Sequence, residues 1–181
     1  MARKVLVVVD VQNDFAKGGV LAYGYPEESN TDAIVAKVKE FINSGNFVVA
    51  TRDTHHDDYL TTLEGKMLPV KHCISGTEGW QLVDGLNEYA GSGMSVYDKP
   101  TFGTPHLAKH VKWFIDHGFD IEEIQVVGYC TSICILSNAV LLRAAFPNMR
   151  ITILKDLCGD IDEESHNAAL KVLRNQQIEI K

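Results

Sequence analysis

The chain has 181 residues, of which 45% are hydrophobic and 23% are charged. Because a domain takes about 150 residues, we expect a single domain over residues 1–181. The formal net charge of −7 argues against a protein that follows nucleic acid or an anionic membrane by charge alone. We therefore expect a small molecule as the partner, with no nucleic acid and no membrane.

The cysteines and the start of the chain bear on its compartment. Four cysteines in a chain of this length do not form a disulfide framework, which favours a reduced protein. No apolar run approaches the about 18 to 20 residues of a membrane-spanning helix. The first apolar run reaches an acid at Asp10 and lacks a small-residue cleavage site. These features predict a cytoplasmic protein.

Short β-branched runs alternate along the chain with longer amphipathic stretches. Strands are predicted over residues 4–10, 47–51, 94–98, 124–129 and 150–154, with a short edge strand over 178–180. Helices are predicted over residues 31–44, 104–118, 132–145 and 162–175. Strands that alternate with helices indicate right-handed crossovers. The predicted fold is α/β, a three-layer α/β/α sandwich with a mostly parallel sheet of about six strands.

Reactive side chains come at the ends of these predicted strands. Asp10, Asp53, Lys99, Cys130 and Asp156 lie at or just beyond the ends of successive strands. Ligands of parallel sheets bind beyond the carboxyl ends of the strands. Each residue taken alone also has a structural interpretation, as a capping acid, a surface lysine or a small buried thiol. Their convergence on one edge favours a functional site.

Cys134 is the better candidate nucleophile of the two neighbouring thiols. It falls in the first turn of a predicted helix, where unpaired N–H groups point at an incoming acyl oxygen. A helix N-terminus and a nearby cation are able to lower a thiol pKa, but the sequence does not give the pKa of Cys134. Cys130 lies in the loop and is better placed to present its backbone. A CxxxC redox or zinc pair stays open, although it lacks the usual CxxC spacing.

The motifs taken together resemble the isochorismatase-like superfamily of cysteine hydrolases, and within it the nicotinamidases. The resemblance covers nearly the whole chain and is carried by VVVDVQNDF (7–15), TRDTH (51–55), LPVKHCISGTEG (68–79), YDKPTFG (97–103) and GYCTSIC (128–134). It implies that Asp10, Lys99 and Cys134 form a catalytic triad. It also implies a cis peptide between Tyr129 and Cys130, and an oxyanion hole made by the backbone N–H groups of Cys130 and Cys134.

A second cluster suits a divalent metal. Asp53, His55 and His72 offer one carboxylate and two imidazoles, which fit Zn, Mn or Fe, and Glu64 is a further candidate ligand. In nicotinamidases the matching Asp and His residues bind a metal that meets the pyridine nitrogen of the substrate. The alternative is an ordinary polar loop, in which His56 points elsewhere, while Cys73 is an outside candidate for the metal. The remaining histidines, including His166, are interpreted as ordinary and solvent-facing.

The resemblance implies hydrolysis of nicotinamide to nicotinate and ammonia through a thioester on Cys134. We assign Phe15, Phe102 and Tyr129 to the substrate pocket. Another small amide or a carbamoyl compound stays open as the substrate, because the chain lacks the aromatic residue that many nicotinamidases carry shortly before the metal-binding histidine, here His72. A noncatalytic α/β binding module or a redox protein is the alternative from another class. The family is often oligomeric, so we expect a homo-oligomer.

Overall fold

Six parallel strands form one sheet in the computed structural model, which describes residues 2–181. The strands are β1 Arg3–Val9, β2 Phe47–Asp53, β3 Met94–Lys99, β4 Ile121–Tyr129, β5 Arg150–Gly159 and β6 Glu179–Ile180. Their order across the sheet is β3-β2-β1-β4-β5-β6, and every neighbouring pair is parallel. All carboxyl ends therefore lie along the same edge.

Helices cover both faces of this sheet. They are α1 Thr31–Asn43, α2 Leu63–Met67, α3 Pro105–Asp116, α4 Leu136–Ala145 and α5 Glu163–Asn175. Buried side chains of α3, α4 and α5 pack on one face, whereas those of α1 pack on the other together with loop residues such as Leu82 and Leu86. The predicted three-layer α/β/α fold is confirmed, and its sheet is parallel throughout.

The central strand β1 shows why these sequences form a doubly covered sheet. Val5, Val7 and Val9 belong to the core on the α3, α4 and α5 side. Leu6 and Val8 belong to the core on the α1 side, and all five side chains are fully buried. Since successive side chains of a strand point to opposite faces, a continuous apolar run is what a strand between two helical layers requires.

The strand β5 is longer than the sequence predicted. It continues from Arg150 to Gly159, and its pairing with β4 is irregular between Val126 and Gly128. Asp156, predicted at a strand end, therefore lies within β5, and its side chain is 84% exposed. The acid at the functional edge is Asp160, which is fully buried.

Two further differences concern helices. His166 was predicted to face solvent, but it is buried in α5 and its ring lies 5.1 Å from that of Tyr25. The predicted helix over 132–145 consists of a π-helical turn, Thr131–Ile135, followed by α4. Among residues 2–181, no helix combines the length and the apolar character needed to cross a membrane.

Candidate active site

The carboxyl edge of the sheet gathers the side chains that the sequence placed at strand ends. Asp10 follows β1, Asp53 ends β2 and Lys99 ends β3, and all three are buried. Cys130 follows β4 and leads into the π-helical turn that carries Cys134. The parallel topology thus brings an acid, a lysine, a possible metal ligand and two thiols to one place.

Lys99 lies between Asp10 and Cys134. Its Nζ is 2.7 Å from Asp10 Oδ2 and 3.6 Å from Cys134 Sγ. The other oxygen of Asp10, Oδ1, accepts a hydrogen bond of 2.7 Å from Thr51 Oγ1. Within residues 2–181, Oδ2 accepts no hydrogen bond besides this ion pair. One carboxylate oxygen is therefore held by the scaffold, and the other faces the lysine and is free to take a proton.

The thiol of Cys134 is buried beside a lysine and an acid of opposite charge. Burial raises its pKa well above the ordinary range, and the negative charge of Asp10 adds to the rise against the opposing charge of Lys99. Burial and the charge of Asp10 thus outweigh the lysine, which by itself lowers the pKa of the thiol. Burial also raises the pKa of Asp10, against the opposing charge of Lys99. Because the pKa values of the carboxyl group and of the thiol are both raised, Asp10 is suited to exchange a proton with Cys134.

The turn that carries the thiol has an unusual backbone. The Tyr129–Cys130 peptide is cis, as the resemblance implies. The carbonyl oxygen of Cys130 accepts hydrogen bonds from the N–H groups of Ile133 and Ile135, at 3.2 and 3.0 Å. Cys130 and Cys134 both line the cavity described below. The oxyanion role of their N–H groups stays a prediction.

A group of four potential metal ligands adjoins Asp10, Lys99 and Cys134. Asp53, His55, Glu64 and His72 present one ligand atom each, and these atoms all lie within 4.8 Å of one another. His55 Nε2 is 2.9 Å from Asp53 Oδ2 and 3.5 Å from Glu64 Oε1. His72 Nε2 is 3.5 Å from Asp53 Oδ2 and 3.8 Å from Glu64 Oε1. Glu64 thus stands with the three ligands that the sequence favoured.

The spacing and the hydrogen bonding of this group fit a divalent ion. A tetrahedral ion about 2.1 Å from its ligands separates neighbouring ligand atoms by about 3.4 Å, close to the distances here. His72 Nδ1 lies 2.8 Å from the carbonyl oxygen of Val70. That nitrogen must donate, so His72 Nε2 is left with a lone pair directed at the group. Cys73 is buried but does not belong to the group, and His56 is exposed.

An apolar cavity of about 360 Å³ opens above both clusters. Phe15 lines it, and the Phe15 ring lies 5.6 Å from that of His72. Phe102 also lines it, although its side chain is 47% exposed. Aliphatic side chains complete much of the wall, namely Leu21, Leu68, Ile133 and Ile161. The cavity therefore offers apolar contacts to a ligand, and Cys134 forms part of its wall.

Tyr129 is the predicted substrate contact that the structure places elsewhere. It is fully buried and does not line the cavity. Its hydroxyl group lies 3.0 Å from Asn30 Oδ1 and 3.0 Å from Thr31 Oγ1, and its ring packs against that of Tyr23. Tyr23 lines the cavity in its place. Tyr129 is thus a core residue behind the wall, because its ring turns toward α1.

Several supporting residues escaped the sequence-based predictions. Gln12 Nε2 donates to the carbonyl oxygen of Asp53, and Gln12 Oε1 accepts from the Asp53 N–H group. Asn138 Nδ2 donates to the carbonyl oxygen of Cys134 at 2.8 Å. Thr51 holds Asp10, as described above. Such residues give little signal in one sequence, because buried amides and hydroxyls are common in any core.

Residues 4–180 match the Isochorismatase domain. The chain belongs to this family. The isochorismatase-family protein is 27% identical over 194 residues to the nicotinamidase/pyrazinamidase of Mycobacterium tuberculosis H37Rv, with 98% of this chain and 97% of the relative covered. The resemblance read from the motifs is thereby confirmed.

Solved structures of two further relatives align over nearly their whole length. Nicotinamidase PncA from Bacillus subtilis has a TM-score of 0.80 at 28% identity, covering 98% of both chains. The pyrazinamidase of Pyrococcus horikoshii, solved in complex with zinc, has a TM-score of 0.75 at 26% identity, covering 99% of this chain and 98% of its own. The isochorismatase-family protein thus shares its fold with metal-binding and amide-hydrolysing relatives.

Proposed function

We propose that this protein is a single-domain cysteine amidohydrolase that converts nicotinamide to nicotinate and ammonia. The proposal rests on the position of Lys99. Its Nζ contacts both Asp10 and Cys134, and Cys134 lines an apolar cavity. The similarity to nicotinamidases supports nicotinamide as the substrate. In this proposal Asp10, Lys99 and Cys134 are the catalytic residues.

The first half of the reaction forms a thioester. Asp10 takes the proton of the Cys134 thiol, and the sulfur attacks the amide carbon. The oxygen of the tetrahedral intermediate accepts hydrogen bonds from the N–H groups of Cys130 and Cys134. The C–N bond then breaks, and Asp10 gives its proton to the leaving nitrogen, so that ammonia departs. Lys99 keeps its charge beside both groups, because Asp10 and Asp53 raise its pKa against the lowering effect of burial.

The second half of the reaction returns the free enzyme. Asp10, ionised again, takes a proton from a water molecule that attacks the thioester carbon. The C–S bond breaks, nicotinate forms, and the proton on Asp10 returns to the sulfur of Cys134. The same carboxylate therefore acts twice as base and twice as acid. Its raised pKa suits this work, since efficient proton transfer needs a group whose pKa is near the working pH.

The metal-ligand group would hold a divalent ion, Zn, Mn or Fe, through Asp53, His55, His72 and Glu64. Such an ion would supply Lewis acidity toward a nitrogen of the substrate ring. The protein's own contribution is to place the ring between this group and Cys134. Phe15 packs near His72 and lines the cavity, which suits it for contact with the face of the ring.

A different small amide is the second candidate substrate. It is supported by the size of the cavity, which exceeds the volume of nicotinamide. Nicotinamide has nine non-hydrogen atoms and fills about 150 Å³ at the density of organic crystals. The cavity holds about 360 Å³, and much of its wall is aliphatic. A larger apolar amide would fill it more completely. The redox alternative is disfavoured, because burial raises the pKa of both Cys130 and Cys134, whereas reactive disulfide pairs need a low thiol pKa.

We also propose a cytoplasmic location and a homo-oligomeric state. The four cysteines are unpaired, which suits a reducing compartment. Leu63 and Met67 on α2 are 76% and 80% exposed, and such neighbouring apolar side chains suit contact with a second copy. Sedimentation of the purified protein, compared with a Leu63→Ser/Met67→Ser variant, tests the oligomer. A monomeric wild type would contradict it.

Ammonia release from nicotinamide by the purified protein tests the function. The assay is run as isolated, after chelation and after return of Zn, Mn or Fe, with Cys134→Ala as the control. We expect release that needs both the metal and Cys134. Cys134-dependent release from other small amides but not from nicotinamide would keep the mechanism and reject the substrate. No Cys134-dependent release from any amide would reject the hydrolase.

A further inference from the structure

We infer that Asp160 is a positioning residue, which fixes the nucleophile turn through Ser132 without contacting the substrate. The inference rests on the proposed function, because it concerns how Cys134 and its turn are held for acyl transfer. Asp160 lies at the end of β5, far from Cys134 in sequence, and is fully buried. Neither Asp160 nor Ser132 lines the cavity, so any effect of Asp160 on catalysis must pass through its neighbours.

The carboxylate of Asp160 binds both polar groups of Ser132. Its Oδ2 accepts from the Ser132 N–H group at 2.8 Å, and its Oδ1 accepts from Ser132 Oγ at 2.8 Å. Oδ1 also accepts from the N–H group of Ile161 at 2.8 Å. All three partners are donors, which is the environment that suits a carboxylate. An N–H group in the first turn of a helix has no acceptor within the helix. For Ser132 the acceptor is the carboxylate of Asp160, which directly follows β5.

A second contact from the same segment holds the residue before Ser132. Thr131 Oγ1 donates to the carbonyl oxygen of Gly159 at 3.2 Å. It lies 2.9 Å from His166 Nδ1, which must then be the donor to this hydroxyl. Thr131 and His166 are both buried. The end of β5 and the start of α5 therefore hold two consecutive residues of the turn, between the cis peptide and Cys134.

Asp160 is itself fixed by backbone pairing. Its N–H group donates to the carbonyl oxygen of Tyr25 at 2.8 Å, and its carbonyl oxygen accepts from the Tyr25 N–H group at 2.9 Å. The carboxylate therefore cannot follow the turn if the turn moves. This rigidity matters because a displacement of about 1 Å in a reacting group can cost about 100-fold in rate. Through Ser132 the Asp160 carboxylate bears on the position of Sγ and of the predicted oxyanion donors. Ile161, which lines the cavity, is bound only through its backbone N–H group.

The test compares Asp160→Asn with a matched variant, Glu123→Gln. Glu123 is also a buried carboxylate with several donors, from Thr152, Gln125 and Lys4, but it lies near the start of β4, at the opposite edge of the sheet. Both substitutions exchange a carboxylate for an amide of nearly the same shape. Three quantities are measured for each variant: kcat and KM for nicotinamide, the inhibition constant of nicotinate, and that of pyridine-3-carbaldehyde. The aldehyde adds to the Cys134 thiol and places an oxyanion where the amide would.

We expect Asp160→Asn to lower kcat by about 10- to 100-fold, while KM and the nicotinate constant change less than twofold. The inhibition constant of the aldehyde should rise by the same factor by which kcat falls, since the adduct resembles the transition state. Glu123→Gln should lower the melting temperature and leave kcat unchanged. Asp160→Glu, which keeps the charge, should recover part of the loss. If Asp160 had a purely structural role, Asp160→Asn would lower the melting temperature, and kcat would not fall more than nicotinate binding weakens.

Wild-type kcat in Asp160→Asn, or an equal weakening of nicotinate and aldehyde binding, would overturn the inference. Failure of the proposed function is a separate result, namely no ammonia release by the wild type. In that case the variants are compared by the rate at which iodoacetamide alkylates Cys134, which needs no substrate. We then expect slower alkylation in Asp160→Asn than in Glu123→Gln, and equal rates would count against Asp160.

Discussion

Lys99 and Asp53 connect the triad to the metal-ligand group. Lys99 Nζ lies 3.4 Å from Asp53 Oδ1, whereas Asp53 Oδ2 faces His55 at 2.9 Å and His72 at 3.5 Å. One carboxylate therefore serves both clusters with different oxygens. A change at the lysine removes the cation from Asp10 and Asp53 together, yet leaves every potential metal ligand in place.

Lys99→Met should lower kcat at least 100-fold while binding of a divalent ion is retained. The buried Asp10 loses its cation, so its pKa rises further and its ionised form becomes less favourable. Turnover and the stoichiometry of bound zinc are measured on the same preparation. Lys112→Met, which removes an exposed lysine, serves as the control. Loss of zinc in step with activity would show that the lysine acts through the metal-ligand group.

Removal of a metal ligand should weaken ion binding in a graded way. His72→Asn should lower zinc affinity by at least about tenfold, because its Nε2 carries the lone pair that faces the group. Glu64→Gln should cost less zinc affinity, because the Glu64 side chain is 24% exposed, whereas those of Asp53, His55 and His72 are buried. Calorimetric titration with zinc measures both variants. The exposed neighbour His56→Asn is the control, and an equal loss there would refute the assignment of these ligands.

Phe15 and Tyr129 should respond differently to substitution. Phe15→Leu should raise KM for nicotinamide several-fold, since Phe15 lines the cavity. Tyr129→Phe should leave KM unchanged and lower the free energy of unfolding by about 1 kcal/mol, because it removes the buried hydroxyl that contacts Asn30 and Thr31. Steady-state kinetics and urea unfolding provide the two measurements. A raised KM in Tyr129→Phe would restore it as a substrate contact.

Glu123 should make the free energy of unfolding depend on pH in the acidic range. Burial opposes its ionisation, but hydrogen bonds from Thr152, Lys4 and Gln125 outweigh burial and lower the pKa from 4.5 to about 2. A lowered folded-state pKa stabilises the protein above the unfolded value of 4.5, and this contribution is lost as the pH falls toward 2. Urea unfolding from pH 7 to pH 2 should therefore show a wild-type advantage over Glu123→Gln of about 1.5–3 kcal/mol that shrinks below pH 4.5. A difference that is constant with pH would contradict this account.

The sequence allowed the fold and the main cluster to be predicted because their signals are local. Continuous β-branched runs mark strands covered on both faces, and parallel strands place their carboxyl ends together. Asp10, Lys99 and Cys134 then follow from their positions at those ends, and the motifs supplied the family. The set of Asp53, His55 and His72 was also predicted, because Asp53 and His55 come just after a predicted strand and His72 lies in the motif LPVKHCISGTEG.

The remaining features depend on three-dimensional packing. Lys155 and Asp156 interrupt the apolar run of β5, so the strand seemed to end early and Asp160 was missed. The direction in which the Tyr129 ring turns is set by its neighbours in the core, which no local pattern gives. The pKa of Cys134 required knowledge of how deeply Asp10, Lys99 and the thiol are buried together. Burial of this kind is a property of the assembled sheet.

The pairing of β1 with β4 has a consequence for how the enzyme forms. Arg3 pairs with Ile121, so the two central strands meet only after most of the chain has been synthesised. Contacts between such distant segments slow folding, because the loop must close before any contact compensates its entropy. Asp10, Lys99 and the metal-ligand group all precede β4, whereas Cys134, the proposed nucleophile, follows it. Nascent chains that end before β4 therefore lack Cys134. During refolding, the recovery of activity reports the pairing of β1 with β4, which joins the two halves of the sheet.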